Sequence, residues 1–320
     1  MPIEQKFPVL ALAFNRPKLL RDLIESLSPD DVSSLYVSID GPRNESDRQK
    51  VAEIVNIAKD SSKKFPVYVR QSEENLGCRL GVISGLDWFY KETINGGLIL
   101  EDDCYLDSKF FKYLRSKIHL IETQQVAMIS AHNPLGHVSL SEFKSRFVFI
   151  HGWYMQIEAW ESIRNNLFKL SAPSRFRHTR HPRDLSESIF WWATYARARI
   201  GIHDTWDSLF YRAFSDLGYS CLVPQHNFIE NRGFGEDATH TFDPLGSIFL
   251  KDGPELARNA LSSENLDQLI AKKYFKINRF HTITPWLKVV IDYVRVLHLP
   301  RFEMSLDATA AKFYTFGESK

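Results

Sequence analysis

Residues 96–111, GGLILEDDCYLDSKFF, decide the fold. The apolar run at 98–100 predicts a buried strand, and a helical pattern begins near Asp107. A strand that is followed closely by a helix is the repeating unit of layered α/β proteins, in which ligands bind at the carboxyl ends of the strands. The segment that leaves this strand is therefore a candidate site.

Three consecutive carboxylates, Glu101, Asp102 and Asp103, lie at the end of this strand. Adjacent negative charges repel one another, and a divalent cation would compensate them. The alternative is an exposed acidic turn ahead of a helix that Asp107 or Ser108 caps. The triplet alone favours the two interpretations about equally, because short motifs match by chance.

The first half of the chain continues the alternation of strand and helix. Strand patterns lie at 9–14, 35–39, 67–70 and 126–130, and helical patterns lie at 17–27, 46–59, 79–93 and 108–122. Pro17 in the first turn favours the first of these helices. The alternation predicts an α/β fold with a mixed, mainly parallel sheet flanked by helices.

The second half is less regular. We expect strands at 146–151 and 220–223, helices at 157–166, 186–199 and 208–217, a basic linker at 174–184 and a glycine-containing loop at 231–240. From about Lys251 the chain becomes a tail with an amphipathic run at 285–299. We predict one domain at 1–250, with halves at 1–130 and 131–250, and a helical C-terminal extension at 251–320.

Composition narrows the classes of function. The 320 residues include 40 Lys and Arg against 39 Asp and Glu, so the charge balance gives no support for a nucleic-acid partner. The cysteines, Cys78, Cys104 and Cys221, offer neither a disulfide framework nor a zinc-ligand spacing.

Without a convincing leader or an apolar run of about 18 residues, we expect a cytoplasmic protein. The run at 285–299 predicts a core-packed helix or a peripheral contact with the inner face of a membrane.

Polar residues follow the first two strands. Asn15 and Arg16 precede the first helix, where free amide groups and a guanidinium suit a phosphate, although a surface arginine at a helix start is the simpler interpretation. Asp40 ends the second strand, where a carboxylate can accept hydrogen bonds from a base or a ribose. The alternative for Asp40 is the turn chemistry of Asp-Gly-Pro.

Two further groups precede later helices. In ENLGCRLG, Gly77 would allow close approach of a ligand and Arg79 would reach a phosphate, or the segment is an ordinary loop. In HDTWDS, Asp207 follows Trp206. A partly desolvated carboxylate there can act as a general base, and its alternative role is to cap the next helix.

The glycine-containing loop carries Gly235, Glu236 and His240. Glycines permit hinge motion, and the acidic and imidazole side chains can contact a diphosphate or a metal. The alternative is a mobile surface loop.

The sequence contains no G-x-x-x-x-G-K-[ST] loop, G-x-G-x-x-G turn, H-E-x-x-H helix or G-x-S-x-G elbow, which disfavours the enzyme classes that these motifs mark.

In this order, the motifs resemble those of GT-A-type nucleotide-sugar glycosyltransferases, such as N-acetylglucosaminyltransferase I, and of bacterial family 2-like surface-polysaccharide transferases. The resemblance covers about residues 9–240, and it is carried by ALAFNRPKLLRDLIESL, VSIDGP, ENLGCRLGVISGL, LILEDDCYLDSKFF, HGWYMQIEAW, TWDSLFYRAF and ENRGFGEDATH. Each motif is modest, and their order and spacing make the match specific.

The resemblance implies a catalytic domain at 1–250, whose first half binds the nucleotide sugar and whose second half binds the acceptor. Asp103 would ligate Mn²⁺ or Mg²⁺, and Asp207 would be the general base. The other implied positions all contact the nucleotide sugar: Asn15, Arg16, Asp40, Arg79, Glu101, Asp102, Gly235, Glu236 and His240. Among these, Glu101 would lie near the donor sugar and Asp102 near the ribose.

We therefore expect an inverting, metal-dependent glycosyltransferase that uses a nucleoside diphosphate sugar and a glycan or lipid-linked acceptor in surface polysaccharide synthesis. Two alternatives stay open. A sugar-nucleotide nucleotidyltransferase would carry a glycine-rich basic loop after the first strand, where this chain has AFNRP. A non-catalytic glycan- or nucleotide-binding protein would use the same scaffold without turnover.

Overall fold

The computed structural model describes residues 5–136, 141–167 and 203–233, short stretches at 190–191, 194–195, 197–198, 266–268 and 270–271, and the backbone of the strand Phe313–Phe316. Several predicted segments lie outside these residues: the linker at 174–184, most of the helix at 186–199, the loop positions Gly235, Glu236 and His240, and the amphipathic run at 285–299.

A nine-stranded sheet forms the centre of the described structure. The strands in chain order are β1 (Phe7–Ala13), β2 (Val32–Ile39), β3 (Val67–Ser72), β4 (Gly96–Glu101), β5 (Cys104–Leu106), β6 (Met128–Ser130), β7 (Phe143–Ser145), β8 (Trp153–Gln156), β9 (Cys221–Val223), β10 (Ile229–Asn231) and β11 (Phe313–Phe316). The order across the sheet is β11-β3-β2-β1-β4-β8-β6-β9-β7, while β5 and β10 form a separate antiparallel pair.

The first four sheet strands are parallel to one another. β1 pairs in parallel with β2 and β4, and β2 pairs in parallel with β3. Their carboxyl ends therefore meet at one edge of the sheet, where ligands bind in open α/β folds. Beyond β4 the sheet is mixed, because β8 is antiparallel to both β4 and β6. The predicted α/β fold with a mixed, mainly parallel sheet is confirmed.

Helices cover both faces of the sheet. They are α1 (Pro17–Ser26), α2 (Glu45–Asp60), α3 (Gly77–Glu92), α4 (Lys109–Glu122), α5 (Ile157–Leu167) and α6 (Asp207–Asp216). Side chains on β1 alternate between the two cores: Val9 and Ala11 pack with α1, α2 and α4, whereas Leu10 and Leu12 pack with α3, α5 and α6. None of the described helices is long and apolar enough to cross a membrane.

The strand predicted at 146–151 is wrong. This segment is irregular, and the strands on either side of it are β7 and β8. Phe147 and Phe149 are buried, which explains the alternating apolar pattern, but their backbone groups bond to side chains. The Phe147 N–H donates to Ser145 Oγ at 3.1 Å, and Ser130 Oγ donates to the Phe149 carbonyl at 3.2 Å. Burial alone does not distinguish a sheet strand from such a segment.

The predicted helical extension at 251–320 includes a strand. β11 lies antiparallel to β3, with Phe313 opposite Ser72 and Phe316 opposite Val69. Its sequence, FYTF, consists of aromatic and β-branched residues that favour extended backbone. The C-terminal segment therefore supplies the edge strand that borders the parallel half of the sheet.

Candidate functional site

A cleft of about 330 Å³ opens at the carboxyl ends of β1, β2 and β4 and at the start of α3. Leu12 and Val82 contribute apolar surface to its lining. Charged side chains supply much of the remainder: Arg16, Asp40, Arg43, Glu101, Asp102 and Asp204. The volume is in the range of pockets that bind small molecules, and the mixture of apolar surface with converging charges is typical of them.

Arg16 bridges two carboxylates of the acidic triplet. It leaves the end of β1 at the position that precedes Pro17 and α1, so its side chain faces the end of β4. Its Nη1 donates to Asp103 Oδ2 at 3.0 Å, and its Nη2 donates to Asp102 Oδ1. The side chains of Arg16, Asp102 and Asp103 are 17%, 2% and 11% exposed, so the three charges are largely desolvated.

Burial and mutual repulsion raise the pKa values of carboxyl groups in the acidic triplet. Burial raises the pKa of Asp102 to about 6, and Arg16 opposes this rise. Burial, with Asp103 and Asp102 adding to it, raises the pKa of Glu101 to about 8. Burial by itself would lower the pKa of Arg16, but Asp102 and Asp103 raise it above its ordinary value. The site holds more negative than positive charge and favours an additional cation.

The Glu101 carboxyl makes stability depend on pH. Because its pKa rises from 4.5 in the unfolded chain to about 8 in the folded protein, the folded state retains the proton more strongly. The contribution of this group therefore favours folding near pH 4.5 and is lost as pH rises towards 8. Asp102 acts in the same direction, between 3.8 and about 6.

We expect Glu101→Gln, which cannot ionise, to reduce this loss. Relative to the unmodified protein, the variant should gain about 3 kcal/mol in free energy of unfolding between about pH 5 and pH 8. Urea denaturation at the two pH values measures the gain. Glu92→Gln at the exposed end of α3 is the matched control and should show none. Parallel pH profiles for the Glu101 variant and the unmodified protein would contradict the assignment.

The segment 231–233 packs directly on Asp103. Asn231 is the last residue of β10 and lies opposite Cys104 in the β5–β10 pair. The Arg232 N–H donates to the Asp103 carbonyl at 2.8 Å, and a Cβ on Gly233 would lie 2.3 Å from Asp103 Oδ2. Glycine at 233 therefore allows the close approach of this segment to the carboxylate.

Asn231 and His151 belong to the site, and the sequence analysis did not single them out as site residues. Asn231 Oδ1 accepts the Gly233 N–H at 2.8 Å, so its amide nitrogen faces the other way. That nitrogen lies 3.5 Å from Asp103 Oδ1 and 3.4 Å from His151 Nδ1. Burial lowers the pKa of His151, which favours the neutral ring that can accept this contact. The sequence signal that could have identified Asn231 is its position at a strand end, two residues before Gly233.

Asp40 lines the cleft and also organises its wall. Its carboxylate accepts the N–H groups of Gly41 and Leu76, both at 2.8 Å, and that of Gly77 at 3.1 Å. The Asn75 side chain adds a fourth hydrogen bond at 3.0 Å. Burial raises the pKa of Asp40, and the backbone hydrogen bonds oppose the rise. Both carboxylate oxygens hold the loop between β3 and α3 in place.

Asn15 and Arg79 do not join the carboxylates in the cleft. The Asn15 amide donates to Asp47 Oδ1 at 2.7 Å, near the start of α2. Arg79 Nη1 donates to the Ala198 carbonyl at 2.6 Å. The structure therefore gives both side chains protein partners outside the cleft lining.

Asp204 and Asp207 have different surroundings. Asp204 accepts the N–H groups of Cys78 at 2.8 Å and Arg79 at 3.2 Å, so it caps α3 rather than the helix that follows it in sequence. Asp207 begins α6. Its Oδ1 accepts hydrogen bonds from the Thr205 hydroxyl and from the Ser208 N–H, each at 2.5 Å. No hydrogen bond to Asp207 Oδ2 is formed within the described part of the chain. The charge of Asp207 contributes to the raised pKa of Glu101, which puts the two carboxylates within electrostatic reach.

Among the described residues, no cluster of three or more His, Cys, Asp or Glu side chains forms a ready cage for a metal ion. A magnesium-like ion does not require one, since it usually keeps several waters and binds one or two carboxylates together with substrate phosphates. The Oδ2 atom of Asp102 fits such an arrangement, because it is buried and accepts no hydrogen bond from the described residues. Asp102 and Asp103 are thus the candidate cation ligands.

Comparison with known proteins gives no identification: no protein-family model matches this chain, and no curated protein matches it either. The structure therefore assigns this chain to a class defined by fold alone. It is a mixed α/β protein with a charged cleft at the carboxyl ends of its parallel strands. The resemblance to glycosyltransferases stays a prediction from sequence motifs.

Proposed function

We propose that this protein is an inverting, divalent-metal-dependent glycosyltransferase of the GT-A type. It would move a sugar from a nucleoside diphosphate to a glycan or lipid-linked acceptor in the synthesis of surface polysaccharide. The observation that carries the proposal is the contact of Arg16 with Asp102 and Asp103 at the carboxyl ends of β1 and β4, where Arg16, Glu101 and Asp102 line the cleft and Asp103 lies beside them, outside its lining. A cation site beside an arginine suits a diphosphate, which binds both.

The nucleoside would occupy the side of the cleft formed by β1, β2 and the start of α3. The Arg43 guanidinium lies 4.7 Å from the centre of the Phe14 ring, and both residues line the cleft. An aromatic ring and a planar guanidinium are surfaces on which a base can stack. Asp40 would contribute by holding the loop through Asn75 and Gly77 that forms the opposite wall.

The cation would be held by Asp103, with Asp102 beside it. When bound, it would act as a Lewis acid that offsets the charge of the departing diphosphate. The chain's own contribution is orientation: Asn231 and the backbone of Arg232 support Asp103. Glu101, on the open side of the triplet, would face the donor sugar.

Asp207 would accept the proton of the acceptor hydroxyl. Its Oδ1 is held by Thr205 and Ser208, which orients the carboxylate and leaves Oδ2 without a hydrogen bond from the described residues. Asp207 and Glu101 interact electrostatically, so the base would lie near the donor sugar. Because we assign one base and no carboxylate nucleophile to the reaction, we expect inversion at the anomeric carbon.

A panel of nucleotide sugars tests the proposed function. We expect one family of nucleoside diphosphate sugars to raise the melting temperature in the presence of Mn²⁺, and to do so much less in the presence of EDTA. The same donors should release free nucleoside diphosphate when an acceptor is supplied. Pyrophosphate production from a nucleoside triphosphate and a sugar phosphate would instead indicate a nucleotidyltransferase. Binding without turnover for every donor and acceptor pair would favour a non-catalytic binding protein.

A further inference from the structure

We infer that Arg16 is a built-in counter-cation that a divalent metal must displace, so that the metal and the nucleoside diphosphate bind cooperatively. The inference rests on the proposed function and adds a mode of regulation to the same cleft. It predicts that the free enzyme binds metal weakly and that the donor substrate makes metal binding strong.

The contacts of Arg16 carry the first step. One guanidinium reaches both carboxylates that are candidate metal ligands, with Nη1 at 3.0 Å from Asp103 Oδ2 and Nη2 on Asp102 Oδ1. The opposite charges are largely removed from water, so their attraction is screened less than that of a surface pair. Releasing this arginine without a replacement cation would leave two buried carboxylates close together.

The site also has a place for a further positive ligand. The Asp102 side chain is 2% exposed and lines the cleft, and its Oδ2 accepts no hydrogen bond from the described residues. The Phe14 N–H also stabilises the Asp102 carboxylate, but a buried oxygen without a hydrogen bond of its own is costly. An ion bound between Asp102 and Asp103 would satisfy it.

Arg16 and such an ion compete for one oxygen, Asp103 Oδ2. Asp102 offers its unbonded Oδ2 to the ion, but Asp103 Oδ1 already faces the Asn231 amide nitrogen at 3.5 Å, which leaves Oδ2 as the second oxygen for the ion. A small divalent ion lies about 2 Å from a carboxylate oxygen. Asp103 Oδ2 already has the Arg16 nitrogen at 3.0 Å, so the ion would meet a positive charge at close range. Repulsion at that distance in a poorly hydrated cleft is strong. The guanidinium therefore has to leave Asp103 when the metal binds.

A diphosphate gives the displaced guanidinium a new partner. Arg16 lies at the start of α1 and lines the cleft, so its long side chain can turn towards a ligand there. A guanidinium binds phosphate oxygens through paired hydrogen bonds. Metal binding frees Arg16 for the diphosphate, and the diphosphate lowers the cost of displacing Arg16. Each ligand then increases the affinity for the other by the same factor.

Mn²⁺ binding to the 320-residue chain tests the inference. Electron paramagnetic resonance of free Mn²⁺, at about pH 8 where carboxylates ionise more fully, gives the dissociation constant with and without UDP or GDP. Titrations without protein correct for Mn²⁺ bound by the nucleotide alone. In the unmodified protein we expect the diphosphate to strengthen Mn²⁺ binding by about 10-fold or more. In Arg16→Gln we expect Mn²⁺ alone to bind about 10-fold more tightly than to the unmodified protein, and the effect of the diphosphate to fall below about 3-fold.

Arg43→Gln is the matched control. It also removes a positive charge from the cleft lining, but Arg43 pairs with Asp47, at 2.7 Å, and not with the acidic triplet. Its affinity for Mn²⁺ alone should stay within about 3-fold of that of the unmodified protein, since screened charges at longer range contribute little. Arg16→Lys provides a second variant if Arg16→Gln does not fold. A lysine pairs less well with two carboxylates, so Mn²⁺ alone should bind more tightly than to the unmodified protein.

The outcomes separate this inference from the proposed function. If Arg16→Gln or Arg16→Lys, when folded, binds Mn²⁺ no more tightly than the unmodified protein, Arg16 is not a displaced counter-cation. If the variants gain Mn²⁺ affinity but neither diphosphate binds any form, the displacement stands and the proposed function fails. An equal gain in Arg43→Gln would show a general charge effect and would overturn the specific role of Arg16.

Discussion

Asp103→Asn should weaken metal-dependent nucleotide binding by about 100-fold or more while leaving the fold intact. Loss of a residue that merely supports a metal ligand typically costs 10- to 100-fold in affinity, so loss of a direct ligand should cost about the upper value or more. The cost in folding should be about 1 to 2 kcal/mol, because Arg16 keeps its contact with Asp102 and the asparagine retains the shape of the side chain. Calorimetry with Mn²⁺ and the donor identified by the panel measures the affinity.

Asp107→Asn is the control for this experiment. Asp107 is an exposed carboxylate four residues further along, and its Oδ1 accepts the Lys109 N–H at 2.9 Å at the start of α4. Asparagine can accept the same hydrogen bond, so the change should cost little stability and leave nucleotide affinity unchanged. Equal nucleotide affinity in Asp103→Asn and in the unmodified protein would remove Asp103 from the metal site.

Asp207→Asn should retain donor affinity and lose transfer. A positioned general base contributes about 10²- to 10⁴-fold to rate, and an amide cannot accept the proton. Asparagine keeps an Oδ1 acceptor for Thr205 and Ser208, so the start of α6 should be preserved. We therefore expect kcat to fall by at least about 100-fold, with a donor dissociation constant within about 3-fold of the original.

The control for the base is Asp216→Asn on the same helix. Asp216 pairs with Arg212 at 2.8 Å, one turn away along α6. Its replacement makes the same chemical change on α6. We expect kcat within about 2-fold of the original, since Asp216 lies at the other end of the helix, about 13 Å from Asp207 along its axis. Normal turnover by Asp207→Asn would exclude Asp207 as the base, whatever its effect on stability.

The assembly of the cleft was predictable from strand order along the chain. Parallel strands bring their carboxyl ends to one edge, so the residues that follow β1, β2 and β4 had to lie near one another. Arg16, Asp40 and Glu101 follow or end these strands, and all three line the cleft. Their proximity follows from the pairing of the parallel strands and required no knowledge of individual side-chain contacts.

The partners of individual side chains were not predictable in this way. The prediction that Asn15 and Arg79 contact the nucleotide sugar gave no indication that they bond to Asp47 and to the Ala198 carbonyl. A polar side chain takes whichever partner the packing brings within reach, and burial makes an unpaired group costly. Local spacing therefore indicated which residues could bind a ligand, but it did not indicate which side chains form hydrogen bonds within the protein.

The sequence by itself determined the α/β fold and the edge of the sheet where charged residues gather, because hydrophobic periodicity and strand order are local properties of the chain. Tertiary structure alone decided that Asp204 caps α3 across 126 residues and that Asn231 supports Asp103 across 128. It also decided that one arginine holds Asp102 and Asp103 together. Such pairings depend on how separate elements pack, and a linear pattern carries no record of that geometry.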